Sequence, residues 1–136
     1  LIDDLYRTYT DRDHTITMGS SMGGLISLYA TCEYPEIFGR AGCVSTHWPI
    51  GGAPLLAALA ELLPPPGAHR FYFDYGTETV DATYEPFQLE MDRCMEAAGY
   101  VRGKDWVTYK FEGAEHSERA WRSRVEIPLR FLLEGL

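Results

Sequence analysis

A serine within a short run of small residues is the first feature of this sequence that could perform chemistry. Residues 19–24 read GSSMGG and contain the pattern Gly19-x-Ser21-x-Gly23. Between a strand and a helix, this pattern is typical of a sharp turn that exposes a reactive serine hydroxyl. The amino end of the helix would also favour negative charge, because its N–H groups are free and its dipole is positive there. The alternative is a glycine-rich turn whose serine only caps the helix.

A serine needs a neighbouring base to become a nucleophile, and the chain has four histidines. In an open parallel sheet, functional groups gather at the carboxyl ends of the strands. His116 and His47 each follow a predicted strand, whereas His14 opens a predicted strand at its amino end and His69 precedes one. His116 also fits the chain order serine, acid, histidine. We therefore predict His116 as the base and place His47 and Trp48 in the substrate pocket, with packing as their alternative role.

The acid that orients the base should follow the third predicted strand, where Asp81, Glu78 and Asp74 are candidates. Asp74 lies inside that strand and is expected to turn away. Thr83 is predicted to cap the next helix, because Pro86 then falls in the first turn, where no backbone hydrogen bond is lost. Asp81 is thereby left free in the loop. We favour Asp81, while Glu78 and Asp74 remain open.

The elements that would hold these side chains alternate between helix and strand. Apolar residues at helical spacing predict a helix over residues 2–9. Runs of β-branched and aromatic residues predict strands at 14–18, 40–45, 70–75 and 106–111. Further helices are predicted at 25–32, at 54–63, at 87–98 and from a Ser117 cap onward, with Pro128 kinking or restarting the last. This order predicts one α/β domain over residues 1–136, with a mostly parallel sheet and helices on both faces.

Composition argues against several classes of partner. The 136 residues carry a formal net charge of -8, which disfavours nucleic acid because phosphate binding needs clustered Lys and Arg. The longest apolar run, residues 53–63, is too short to span a bilayer, so we expect no membrane partner. The three cysteines have no metal-binding or disulfide spacing, and we expect buried free thiols. Asp11, Asp13 and His14 read as an exposed turn, so we predict neither a metal nor a cofactor.

Three segments carry a family resemblance: GSSMGGLISLYA, FDYGTETVDATYEP and FEGAEHSERAW with the later PLRFLL. Together they resemble the putative esterase family of α/β hydrolases, and the resemblance spans nearly the whole chain. That group includes carboxylesterases, feruloyl and siderophore esterases, S-formylglutathione hydrolases and mycolyl acyltransferases. The resemblance implies Ser21 as nucleophile, His116 as base and Asp81 as acid. It also implies a small-molecule ester as the substrate and an acyl-enzyme as the intermediate.

The start of the chain departs from the family pattern. In an α/β hydrolase several strands usually precede the nucleophile, and a loop among them supplies one of two oxyanion N–H donors. Here the backbone N–H of Met22 can supply one donor, and the second has no candidate. Loss of one donor typically lowers the rate about 10²–10³-fold. We therefore expect the chain to be the C-terminal part of a longer enzyme, truncated at the N-terminus, with weak or absent activity on its own.

Three functions are compatible with these residues. The sequence favours a serine hydrolase that cleaves carboxylic esters through a Ser-His-Asp triad. An acyltransferase of the same fold would use the same triad and differ in excluding water. A catalytically inactive scaffold domain would keep the fold without the reaction. The oligomeric state is left open.

Overall fold

One parallel sheet organises the part of the chain that the computed structural model describes, residues 10–136. Its strands lie in the order β1-β2-β3-β4. They span Ile16–Ser20, Arg40–Val44, Arg70–Gly76 and Trp106–Phe111. The four predicted strands are confirmed, but β1 runs two residues further along the chain than predicted at both ends. It therefore ends at Ser20, directly before the candidate nucleophile. The helix predicted over residues 2–9 lies outside the described residues.

Five α-helices accompany the sheet within residues 10–136. They are α1 Met22–Glu33, α2 Gly52–Glu61, α3 Glu85–Ala97, α4 Glu118–Arg124 and α5 Glu126–Leu133. The Ser117 cap is confirmed, because its side chain accepts the N–H of Ala120 at 3.2 Å. The restart at the end of the chain is also confirmed, since Pro128 occupies the first turn of α5.

The predicted Thr83 cap of α3 is wrong. Residues Thr79–Thr83 form a 3₁₀ turn that runs directly into α3. Tyr84, the residue before α3, already has a helical backbone with φ -84° and ψ -28°, and it makes no side-chain cap. The Thr83 hydroxyl instead donates to the carbonyl of Val80 at 3.0 Å. Pro86 still lies in the first turn of α3, where its missing N–H costs no hydrogen bond.

Helices cover both faces of the sheet. Side chains alternate along β3, so Phe71 and Phe73 enter the larger apolar cluster and Tyr72 enters the smaller one. The larger cluster takes its helical members from α1, α2 and α3, while the smaller one includes Leu132 of α5. The α/β architecture predicted from the alternation of elements is therefore confirmed. A single domain over residues 1–136 remains a prediction.

The cysteines are free thiols, as predicted, but they differ in burial. Cys32 and Cys43 are buried, and Cys94 is partly exposed. Burial raises the pKa of Cys32 to about 12. Within residues 10–136, no helix combines the length and the apolar character needed to cross a membrane.

Candidate active site

Ser21 lies on a sharp turn between β1 and α1. Its backbone has φ 57° and ψ -118°, a conformation that non-glycine residues rarely adopt. The Ser21 N–H donates to the carbonyl of Val44 at 2.9 Å, and its own carbonyl accepts the N–H of His47 at 3.2 Å. The turn is thus tied to the chain around the end of β2. The side chain of Ser21 makes no cap of α1, so the capping alternative is not what the structure shows.

Close packing explains part of the glycine pattern around Ser21. A Cβ added to Gly19 would lie 2.7 Å from the backbone of Gly23, which is closer than real Cβ contacts. A Cβ on Gly24 would lie 3.0 Å from the hydroxyl of Thr46. A Cβ on Gly23 would meet nothing within 4 Å. The tight turn therefore requires glycine at position 19. Position 24 has little room for a side chain, whereas position 23 has room for one.

Three of the predicted residues form one hydrogen-bonded line. The Nε2 of His116 lies 2.9 Å from the Ser21 hydroxyl, and its Nδ1 lies 2.6 Å from Oδ1 of Asp81. The Asp81 side chain is fully buried and that of His116 is 15% exposed. Because an ionised carboxylate only accepts, the imidazole must carry a proton on Nδ1. In the neutral ring, Nε2 is then free to accept the proton of the serine hydroxyl.

Two loops interlock to hold Asp81 and His116. His116 lies between β4 and α4, and its N–H donates to the hydroxyl of Thr79 at 2.8 Å. Asp81 lies in the 3₁₀ turn after β3, where its Oδ2 accepts the N–H of Gly76 at 2.6 Å. A Cβ on Gly76 would lie 2.1 Å from the carbonyl oxygen of Ala114, in the loop that precedes His116. Glycine at 76 therefore lets the two loops approach each other.

The other two acid candidates lie apart from the imidazole. Asp74 is buried and pairs with Arg124, whose Nη2 lies 3.0 Å from its Oδ1. Asp74 also accepts the hydroxyl proton of Tyr72 at 2.8 Å. Glu78 is exposed at the surface of the loop. Of the three carboxylates, Asp81 is the one in contact with His116.

His47 and Trp48 occupy different environments. The Nδ1 of His47 lies 2.7 Å from the hydroxyl of Tyr84, and its ring centre lies 6.3 Å from that of His116. Trp48 is only 1% exposed, and its indole N–H donates to Gln88 at 3.3 Å. The structure thus gives Trp48 the packing role, while His47 remains a candidate pocket residue. Burial, and next the charge of Asp81, raise the pKa of Tyr84 above its usual range.

Met22 opens α1 directly after Ser21. Its backbone N–H makes no hydrogen bond to another residue within 10–136, so it is available to an anion beside Ser21. Its side chain is 47% exposed. The donor role of Met22 stays a prediction.

Two clefts of about 180 Å³ each begin at the residues on either side of Ser21. One runs from Ser20 toward Trp121 and Pro128. The other is apolar, and its lining comprises Met22, Leu25, Ile26, Tyr29, Leu55 and Leu59. Neither Ser21 nor His116 lines these two clefts, so each cleft adjoins the candidate site through a chain neighbour of Ser21.

Sequence reasoning missed three residues that support the site: Ser45, Thr79 and Arg124. Ser45 directly follows β2, so its place at the carboxyl edge of the sheet was a usable signal. Thr79 lies in the loop that the acid was assigned to. Arg124 is 50 residues from its partner Asp74 along the chain, and no local pattern marks that pairing.

Comparison with known proteins gives one family match and several structural neighbours. A sequence model of the putative esterase family matches residues 1–129. The uncharacterized protein YbbA of Bacillus subtilis (strain 168) is 30% identical over 78 residues, which is 57% of this chain and 30% of that protein. This relative and the neighbours below are longer proteins, of which the chain spans only a part.

The solved structures with similar folds include esterases. The enterobactin esterase FES of Shigella flexneri superposes with a TM-score of 0.70 at 22% identity, over 98% of this chain and 35% of that one. A ferulic acid esterase superposes with a TM-score of 0.71 at 18% identity, over 96% of this chain and 55% of that one. At these identities the likeness shows a shared fold of the α/β-hydrolase type. Because the family model matches nearly the whole length, we conclude that this chain belongs to the putative esterase family.

Proposed function

We propose that the chain carries the active site of a carboxylic ester hydrolase that works through a Ser-His-Asp triad. One observation carries the proposal: the unbroken line from the Ser21 hydroxyl through His116 to Asp81, with contacts of 2.9 and 2.6 Å. Distances in this range allow proton transfer between the serine and the ring. Membership of the putative esterase family supports the same reaction class.

In the proposed reaction, Ser21 attacks the ester carbonyl carbon while His116 accepts its proton on Nε2. Asp81 holds the imidazole in the required tautomer and stabilises the imidazolium that forms. The Met22 N–H donates to the oxyanion of the tetrahedral intermediate. His116 returns the proton to the departing alcohol, which leaves an acyl group on Ser21. Water, activated by His116, then releases the carboxylic acid and restores the serine.

Backbone strain supports the assignment of Ser21 as the nucleophile. Its φ of 57° costs on the order of 1–3 kcal/mol in a residue with a Cβ. Such strain persists where the surrounding structure imposes it, and it is concentrated at functional sites. Ser21 gains no cap bond from its conformation, and its hydroxyl contacts the Nε2 of His116 and the side chain of Tyr84.

We propose a small-molecule ester as the substrate. The structural neighbours are named for enterobactin and for ferulic acid, so their names do not point to one particular ester. The two clefts beside Ser20 and Met22 would receive the two sides of the ester, and His47 would contact the part that lies toward Tyr84.

The test is hydrolysis of p-nitrophenyl acetate and butyrate, combined with labelling by a fluorophosphonate probe. The parent chain is compared with Ser21→Ala and His116→Ala, and with Ser123→Ala and His14→Ala as matched controls away from the triad. A form extended at the N-terminus is assayed in parallel, because α/β hydrolases usually take a second oxyanion donor from a loop before the nucleophile. We expect turnover and labelling that disappear in Ser21→Ala, fall in His116→Ala and persist in both controls.

The remaining outcomes separate the alternatives. Product analysis with an added alcohol distinguishes hydrolysis from acyl transfer, because a transferase would form the new ester. If neither form of the parent turns over substrate or takes up the probe at Ser21, the esterase proposal is wrong and a scaffold role is favoured.

A further inference from the structure

We propose that Ser45 is a positioning residue for the triad acid, and that Arg124 and Trp121 orient its hydroxyl for that task. The proposal rests on the proposed function, because it names what fixes Asp81 in the same site. Ser45 is fully buried directly after β2 and cannot touch a substrate itself. Its effect on the reaction would pass through Asp81.

The hydroxyl of Ser45 contacts the far oxygen of the acid. Its Oγ lies 2.6 Å from Oδ2 of Asp81, the oxygen that also accepts the N–H of Gly76 at 2.6 Å. The other oxygen, Oδ1, faces the Nδ1 of His116. Two donors on Oδ2 therefore fix the carboxylate plane and direct Oδ1 at the imidazole.

The neighbours of Ser45 determine where its proton points. The Nη2 of Arg124 lies 2.9 Å from Ser45 Oγ, and the indole Nε1 of Trp121 lies 3.1 Å from it. Both groups can only donate. A hydroxyl has two acceptor positions and one proton, so these donors occupy the acceptor positions and leave the proton for Asp81. This arrangement gives the Ser45–Asp81 hydrogen bond a single direction.

Arg124 is held in place by a second carboxylate. Its Nε and Nη2 lie 3.2 and 3.0 Å from the two oxygens of Asp74, and the Asp74 side chain also accepts the N–H of Ser45 at 3.1 Å. The remaining Nη1 is buried and has no hydrogen-bond partner among residues 10–136. Stabilisation of the fold is a poor explanation for the Arg124–Asp74 ion pair, because burying charge is costly and one buried donor of Arg124 has no partner among the described residues. It is well explained as a support that fixes Ser45.

The backbone of Ser45 points to the same role. Ser45 has φ 43°, and the other non-glycine residues with positive φ within 10–136 are Ser21 and Thr79. Ser21 is the proposed nucleophile, and Thr79 accepts the N–H of His116. Each of the three is thus either a member of the proposed triad or in contact with one. Strained backbone of this kind accumulates at functional sites, and here it includes Ser45.

The test compares Ser45→Gly and Ser45→Ala with Thr46→Val. Glycine tolerates positive φ, so Ser45→Gly removes the hydroxyl without adding strain, whereas alanine keeps the strain. Thr46 is the matched control, because its buried hydroxyl has no hydrogen-bond partner among the described residues. We expect both Ser45 variants to lower kcat for p-nitrophenyl acetate about 10- to 100-fold with KM nearly unchanged. Thr46→Val should stay within about twofold of the parent.

A double-mutant cycle asks whether the effect passes through the acid. In an Asp81→Asn background, Ser45→Gly should cost less than about twofold, because its target has already been removed. An equal loss in both backgrounds would overturn the positioning role. So would a Ser45→Gly variant as active as the parent.

A third readout does not require turnover. The ¹H NMR resonance of the His116 Nδ1 proton reports on the hydrogen bond to Asp81. It should move or broaden in Ser45→Gly and stay in place in Thr46→Val. An unchanged resonance in Ser45→Gly would refute the inference even if the parent is an active esterase. A parent that fails the esterase assays but shows this shift would refute the proposed reaction and keep the positioning of Asp81.

Discussion

The two edges of the sheet use polar side chains in different ways. At the carboxyl edge, Ser21, His116, Asp81 and Ser45 bond to one another, side chain to side chain. At the amino edge, arginines at the start of β2 and β3 bond to main-chain carbonyls of α5. Arg40 Nη1 lies 2.6 Å from the carbonyl oxygen of Leu132.

The cleft at the amino edge, at about 500 Å³, is larger than either of the clefts that begin at Ser20 and Met22. Its size alone would make it the better candidate for a ligand site. However, Arg40 and Arg70, which line this cleft, already donate hydrogen bonds to main-chain carbonyls at the end of α5. Within residues 10–136, the non-glycine residues with positive φ all lie at the carboxyl edge. Backbone strain and the line of side chains from Ser21 to Asp81 therefore support the carboxyl edge as the proposed reactive edge, although the amino-edge cleft is larger.

The largest expected effect comes from Ser21→Gly, which should lower activity and raise stability at the carboxyl edge. Loss of the nucleophile should lower kcat about 10⁴–10⁶-fold. Glycine should also relieve the positive φ and raise the free energy of unfolding by about 1 kcal/mol, after its own entropic cost. Esterase kinetics and urea denaturation measure the two quantities. A variant that is inactive and clearly less stable would show that the turn is not strained.

Asp81→Asn should have the next largest effect. The amide can donate to Nδ1 of His116, which would favour the wrong tautomer and lower kcat about 10³–10⁴-fold. Substrate binding should change little, because Asp81 is fully buried behind the imidazole. Glu78→Gln is the matched control on the same loop and should keep full activity. Comparable losses in both variants would contradict the assignment of Asp81.

Much of this contrast between edges was predictable from the sequence. The alternation of strands and helices predicted which loops share the carboxyl edge. It therefore predicted that Ser21, His116 and Asp81 lie at the same edge. His14 and His69 were assigned to the other edge for the same reason. The structure places both before their strands, His14 next to β1 and His69 next to β3.

The rest depended on contacts that local patterns do not encode. The Thr83 cap was wrong because a 3₁₀ turn runs into α3, so the chain is already helical where a cap was expected. Trp48 was assigned to the pocket from its place after β2, but its ring turns into the core. Ser45 and Arg124 lie 79 residues apart, and only the folded chain brings them together beneath Asp81.

A smaller effect is expected from Tyr84→Phe, which tests whether His47 belongs to the reactive edge. Loss of the hydroxyl removes the 2.7 Å contact to His47 Nδ1 and the longer 3.5 Å contact to His116 Nδ1. It should raise KM about three- to tenfold, with a smaller change in kcat. Tyr100→Phe is the matched control, because its buried hydroxyl donates to the carbonyl of Pro64. That variant should lose some stability and keep its KM. An unchanged KM in Tyr84→Phe would remove His47 from the pocket.

The smallest effect on activity is expected at the amino edge. Arg70→Met removes the bonds to the carbonyls of Phe131 and Lys104, and it removes the cation–π contact with the Phe131 ring at 4.6 Å. The free energy of unfolding should fall by about 1–3 kcal/mol, while kcat/KM of the folded protein stays within about twofold. Arg119→Met is the control, since its exposed ion pair with Glu115 should leave no resolvable change in stability. If Arg70→Met folded normally but lost activity, the amino edge would contribute to the reaction and the proposed difference between the two edges would be wrong.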